Sequence, residues 1–299
     1  MPLKINIGDS WKDVKAVKIN IGDTWKDVKS MKINIGDTWK DVVIVSGWDI
    51  GNASYDGISY YLNDTVSSPW DLFFNSDGTK MYVSGGSSKV GQYSLSTAWN
   101  ISTASHDFTE DFGTDSYRGI FFKPDGTKMY VANYTDRKIN QWTLLTPWDV
   151  STASNFVQSP FLGSQSTYTT GVAFNSDGTI MWVLNEGNSY IYQYSLSTAW
   201  DVSTASYNSK KFNPAGSYVN GFFVKPDGTK FYVTSYGDDD RVYQHSVSTP
   251  WDLSTASYDG IYFSTINQDQ SPFGVYIGDN GKKMYLIGRD NNRIYQYSL

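Results

Sequence analysis

Gly119-Ile-Phe-Phe-Lys-Pro-Asp125-Gly-Thr-Lys-Met-Tyr-Val131 carries the pattern that decides the fold. Two apolar-rich runs flank an Asp-Gly dipeptide, which is the composition of two strands joined by a tight turn. The same phrase returns as Phe74-Asn-Ser-Asp77-Gly-Thr-Lys-Met-Tyr-Val83, Phe174-Asn-Ser-Asp177-Gly-Thr-Ile-Met-Trp-Val183 and Val224-Lys-Pro-Asp227-Gly-Thr-Lys-Phe-Tyr-Val233. A looser copy is Ile277-Gly-Asp-Asn-Gly-Lys-Lys-Met-Tyr-Leu286. A third strand follows each copy, as in Ile191-Tyr-Gln-Tyr-Ser-Leu196 and Ile294-Tyr-Gln-Tyr-Ser-Leu299. Then come a Trp-bearing turn and a fourth strand. The turn tryptophans Trp48, Trp99, Trp148, Trp200 and Trp251 are 51, 49, 52 and 51 residues apart.

Four strands in each unit of about 50 residues predict an all-β, five-bladed β-propeller over residues 46–299. The last unit stops after its third strand, while Trp48-Asp-Ile-Gly-Asn-Ala-Ser-Tyr55 starts as an isolated fourth strand. The N-terminal strand is therefore expected to complete the last blade and close the ring, which removes the exposed sheet edge.

A second, shorter repeat fills residues 1–45. Lys4-Ile-Asn-Ile-Gly-Asp-Ser-Trp-Lys-Asp-Val14 recurs at 18–28 and 32–42, a period of 14 residues. Each copy reads as a β-hairpin turning at Gly-Asp, with Gly8, Gly22 and Gly36 supplying positive φ. Residues 1–45 hold eight Lys and six Asp, net +2, whereas 46–299 hold 16 basic and 24 acidic residues, net −8. Three such hairpins have little core of their own. The expectation is a segment that attaches to another protein or oligomerises, with Trp11, Trp25 and Trp39 as its contact residues.

Composition narrows the chemistry. The chain of 299 residues has no Cys, which excludes a disulfide framework, a thiol nucleophile and a Cys-ligated metal. Two histidines, His106 and His245, cannot make a His₃ centre. A net charge of −6 argues against nucleic-acid binding. No apolar run approaches a membrane span, and the first residues lack an apolar signal segment. Two glutamates, Glu110 and Glu186, leave little general acid–base equipment. No catalytic residue, metal or cofactor is expected.

At these residues the chain resembles known families. The Pro-Asp-Gly-Thr-Lys-Met-Tyr-Val blades are similar to YVTN-type propellers, found in surface-layer proteins, lactonase-like enzymes and phage appendages. The Lys-Ile-Asn-Ile-Gly-Asp-Thr-Trp-Lys-Asp-Val repeats resemble short tandem repeats of tailed-phage virion proteins. That resemblance implies a non-enzymatic virion structural protein, assembled in the host cytoplasm and exposed outside the cell. Its partners would be other virion proteins through residues 1–45, a second copy of itself, and a host-surface glycan or protein. Two alternatives stand beside it: a propeller enzyme acting on carbohydrate or lactone, and an architectural decoration without ligand.

Repetition also divides the two faces of the disc. With the four strands of each unit lettered a to d in chain order, the a–b turns and the Trp-bearing c–d turns are nearly identical from blade to blade, so they serve turning and packing. The d–a and b–c loops differ from blade to blade, and variation on a rigid repeat is where a specific site is built. The candidate ligand residues on that face are Trp70, Arg118, Thr170, Asn220 and Phe273 at the starts of the first strands. Tyr134, Glu186, Tyr236, Asp238 and Asn291 join them from the b–c loops.

Overall fold

The computed structural model describes residues 47–299 except 63, 64, 87, 114, 164, 166, 167 and 238. Of the N-terminal segment it describes the strand backbones alone. The chain divides into two compact units, Met1–Ser46 and Gly47–Leu299. In the first, Lys4–Ile7 pairs with Ser10–Asp13, Lys18–Ile21 with Thr24–Asp27, and Ser30–Ile35 with Thr38–Val43. These are the three antiparallel pairs expected from the 14-residue repeat. Trp11, Trp25 and Trp39 stand opposite Asn6, Asn20 and Asn34 in register. Their side chains, and the turns at Gly8, Gly22 and Gly36, lie outside the described residues.

The second unit is a five-bladed propeller of five antiparallel four-strand sheets. Blade 1 runs Pro69–Phe74, Lys80–Gly85, Lys89–Leu95 and Ala104–Asp111 as strands a to d. Strand a opens blades 2, 3 and 4 at Tyr117–Phe122, Thr169–Phe174 and Val219–Val224. Blade 5 takes Pro272–Gly278, Lys283–Gly288 and Arg293–Ser298 from the C-terminus. Its fourth strand is Ser54–Tyr61, antiparallel to Arg293–Ser298. The expected closure by the N-terminal strand is what the topology shows.

The repeated turns hold the blades together. In blades 1 to 4 the turn Asp accepts the backbone N–H of the Thr two residues on, at 2.9–3.0 Å. The following Gly takes φ of +72° to +75°. The Trp of the c–d turn donates its backbone N–H to that Gly carbonyl in every blade, or to Gly281 in blade 5. Its indole covers the glycine so closely that an added Cβ would lie 2.2–2.6 Å from the ring.

A hydrogen-bond latch then links each blade to the next. The strand-c glutamines Gln92, Gln141, Gln193, Gln244 and Gln296 accept the backbone N–H of Val150, Val202, Leu253, Ile50 and Ile101. Tyr82, Tyr130, Tyr232 and Tyr285 donate their hydroxyls to the carbonyls of Trp148, Trp200, Trp48 and Trp99. Blade 3 has Trp182 in place of that Tyr, and its indole N–H turns to Gln193 in its own blade. The turn tryptophans are thus packing residues.

One prediction follows from the Gly–Trp contact. Gly126→Ala places a Cβ 2.4 Å from the Trp148 ring at φ +73°. Left-handed strain of about 1–2 kcal/mol and an overpacking cost of about 1–3 kcal/mol add there. Urea denaturation should show a loss of roughly 2–5 kcal/mol. An unchanged midpoint would mean that the Trp turn swings away freely.

Candidate functional site

The channel is built from the a strands. Gly119, Gly171, Gly221 and Gly274 occupy equivalent positions near its axis, and a Cβ on each would meet a neighbouring blade at 2.0–2.7 Å. Blade 1 has Asp71 at this position. Two residues further along, Phe73, Phe121, Phe223 and Tyr276 close the channel, with successive ring centroids 4.9–5.4 Å apart. Blade 3 contributes only Ala173 to this layer. A cavity of about 30 Å³ lies among these residues and Asp71, room for a water or two.

Above this plug the variable loops make a continuous cluster. Arg118 lies with its guanidinium carbon 3.5 Å from the ring centroids of both Trp70 and Tyr134. Its Nη1 donates to Glu186 Oε2 at 2.7 Å. The Tyr236 hydroxyl faces Glu186 Oε1 at 3.5 Å. Tyr236 stacks on Phe273 at 5.2 Å, and Phe273 meets Trp70 edge-on at 4.6 Å. Six positions inferred from sequence, drawn from all five blades, thus meet in one ring of contacts.

The remaining positions fare differently. Asn220 is 3% exposed, and its amide lies near enough to the Tyr236 hydroxyl to favour the phenolate. The amide oxygen completes no hydrogen bond. Thr170 is buried, with its hydroxyl 3.5 Å from the Leu184 carbonyl. Asn291 is exposed and donates to the Tyr295 hydroxyl and the Gln268 carbonyl, apart from the ring. Asp238 lies outside the described residues. Both histidines are hydrogen-bonded, His106 with Thr109 and His245 by accepting the Ala215 N–H.

Three contributors were missed. Arg289 follows strand b of blade 5, as Tyr134, Glu186 and Tyr236 follow theirs. Its backbone N–H reaches the Ser271 carbonyl just as theirs reach Ser116, Tyr168 and Tyr218. Its guanidinium carbon is 4.6 Å from Trp70 and 4.9 Å from Phe273. Tyr168 stacks on Tyr134 at 4.7 Å, and Tyr218 packs on Tyr236 at 5.5 Å. A strict alignment of the five units places all three on the mouth. The loop lengths differ enough to hide that register.

Electrostatics follow burial. Burial draws the Arg118 pKa down, and Glu186 works against that. Burial raises the phenols of Tyr134 and Tyr236, with Glu186 adding to it for both. Asp71 is the most perturbed acid among the described residues. Burial pushes it up to about 8, against backbone N–H bonds from Ile120 and Leu72.

That shift makes a testable pH dependence. An acid whose folded pKa lies above its unfolded value stabilises fully below about pH 4 and loses that contribution as pH rises to about 8. Buried His245, pushed down to about 4, has the opposite slope up to about pH 6.5 and masks the effect there. The parent should therefore lose stability mainly between about pH 6.5 and 8, at up to about 1.4 kcal/mol per unit. Asp71→Asn should remove that fall. Parallel slopes for parent and variant in urea titrations would show that Asp71 is ionised throughout.

A larger groove of about 420 Å³ lies on the repeated-turn face between blades 5 and 1. Among its lining residues Asp56 accepts from Lys283 and Gln296, so these polar groups are already satisfied. No group of three or more potential metal ligands occurs among the described residues.

No protein-family model matches the chain, and no curated protein matches it. Solved structures with similar architecture include a functionally unknown protein from Desulfotomaculum acetoxidans DSM 771, 12% identical with a TM-score of 0.45. That match covers 77% of this chain and 68% of the other. A candidate 6-phosphogluconolactonase from Bacteroides uniformis ATCC 8492 is 17% identical, covering 75% of this chain and 64% of the other, with a TM-score of 0.46. A second, from Bacteroides fragilis NCTC 9343, is 15% identical over 78% and 80%, with a TM-score of 0.46. Likeness at this level says nothing about activity.

Proposed function

We propose that this chain is a non-enzymatic virion protein of a tailed phage, attached through its N-terminal repeats. It displays the propeller as a host-surface adhesin whose site is the channel mouth. The observation that carries the adhesin reading is the convergence of Trp70, Arg118, Tyr134, Glu186, Tyr236 and Phe273 on the variable face. The opposite face spends its conserved-in-every-blade residues on turns and latches. A rigid ring with one variable mouth is a binding scaffold, and copies on one particle would raise the effective concentration of a weak site. The likeness of the 14-residue repeats to virion repeats supports the attachment role.

A propeller enzyme is the second reading, favoured by the raised pKa of Asp71. Against it, both Asp71 oxygens already take backbone N–H groups, and the Glu186 carboxylate is tied to Arg118.

The test is binding of the full chain to intact host cells beside Tyr134→Ala/Tyr236→Ala. The parent is expected to bind and the variant to bind at least tenfold less, with no turnover of lactone or glycan panels. Equal binding by both proteins removes the channel mouth from the reading. Deleting residues 1–45 should leave a folded propeller that fails to enter particles, and retained incorporation would defeat the attachment role.

A further inference from the structure

We infer that the ligand taken at the channel mouth is an acidic sugar, a uronate-bearing oligosaccharide whose carboxylate meets the Arg289 guanidinium. The inference rests on the adhesin reading and adds the class of ligand. Its first support is charge. Residues 46–299 carry a net −8, yet the mouth brings two guanidiniums, Arg118 and Arg289, onto the same Trp70 ring. Glu186 is taken by Arg118. Arg289 is exposed, lies over Trp70 and Phe273, and pairs with no carboxylate among the described residues. A guanidinium held against two aromatic rings with its N–H groups open is oriented for a planar carboxylate, which it can engage through two parallel bonds.

The second support is independent of Arg289. Asn220 is 3% exposed with its amide oxygen unbonded, and Arg118 is 9% exposed with Nε unbonded. Buried donors and acceptors left open in this way cost stability unless something completes them. A buried amide oxygen left open suits a sugar hydroxyl, which can donate to it.

The third is the shape of the apolar surface. Trp70 has a guanidinium close to its ring from Arg118 and another from Arg289, so the free aromatic surface belongs to tyrosines. Tyr218 is 52% exposed and Tyr168 is 42% exposed, each packed on a half-buried Tyr of the mouth. Such rings offer flat faces to the C–H side of a pyranose and hydroxyls at the rim. A free inorganic anion would use the guanidinium and leave the tyrosines and Asn220 without a role.

The experiment is a glycan array of uronate oligosaccharides, each printed beside its carboxyl-reduced counterpart and beside an acidic peptide of equal charge. It is probed with the full chain, Arg289→Ala, Arg289→Lys and Asn220→Ala. The parent should bind one or more uronates and lose at least tenfold on carboxyl reduction. Arg289→Ala should lose a similar factor with an unchanged thermal midpoint, since Arg289 is exposed, and Arg289→Lys should recover part of it. Asn220→Ala should weaken binding without lowering the midpoint, a combination that a merely structural amide would not produce. Raising the salt should weaken the uronate signal.

Equal binding to reduced sugars, or full binding by Arg289→Ala, overturns the acidic-sugar inference and leaves the adhesin reading standing. Binding to the acidic peptide alone overturns it in favour of a protein receptor. If neither the array nor intact cells are bound, both the inference and the adhesin reading fall together.

Discussion

Deleting residues 1–61 is expected to yield a chain that aggregates and shows no cooperative melt, while deleting residues 1–46 leaves the propeller's thermal midpoint in place. The difference between the two truncations is the closing strand. Ser54–Tyr61 pairs in register with Arg293–Ser298 through six residue pairs. At about 0.5–1.5 kcal/mol for each backbone bond, the ladder contributes several kcal/mol. Ile50 is fully buried, which adds about 1.5–3 kcal/mol, and its N–H fills Gln244 of blade 4. Asp56 satisfies Lys283, Gln296 and Ser298 together, and its loss strands those groups.

The sum rivals the whole stability of an ordinary domain, about 5–15 kcal/mol. Removing the strand also uncovers the Arg293–Ser298 edge and the aromatic rings of Tyr295 and Tyr297, which would recruit another chain. Size-exclusion chromatography and a thermal melt decide it. A monomeric, cooperatively melting fragment from residue 62 onward would show that the ring does not depend on closure.

The second large effect is at the mouth. Arg118→Met should cost about 3 kcal/mol, because a half-buried Glu186 carboxylate loses the cation 2.7 Å away. Glu186→Gln should cost less, since the amide oxygen still accepts from the guanidinium, which remains sandwiched by Trp70 and Tyr134. The double variant should be more stable than the two single losses would give if they added. A coupling of about 1–3 kcal/mol is expected from a urea-denaturation cycle. Strict additivity would mean the pair is solvent-screened and does not organise the site. Ligand binding should fall sharply in Arg118→Met and persist, weakened, in Glu186→Gln.

Legibility in sequence tracked repetition. The Asp-Gly turn at Asp125 and the Trp period were visible because every blade solves the same turning and packing problem with nearly the same residues. The mouth was visible only as the places where blades differ. That criterion found Arg118, Glu186 and Tyr236, and it also selected Thr170 and Asn291. Thr170 is buried against the Leu184 carbonyl, and Asn291 turns to Tyr295. Asp71 escaped notice although it replaces the glycine of the other four blades. Its side chain has a place because it points toward the channel and takes the Ile120 N–H of the next blade.

The sequence by itself determined the number of blades, the order of strands, the closure at the N-terminus and which face varies. Each of these rests on local turn chemistry and on a period that no tertiary contact can alter. Tertiary structure alone decided which varied residues touch. Arg118 and Glu186 are 68 residues apart and come within bonding distance because a closed ring sets successive blades side by side. The same closure left Arg289 with aromatic neighbours and no carboxylate partner among the described residues, and buried the Asn220 amide oxygen without a donor. Those two outcomes depend on distances across the ring, which no spacing along the chain encodes.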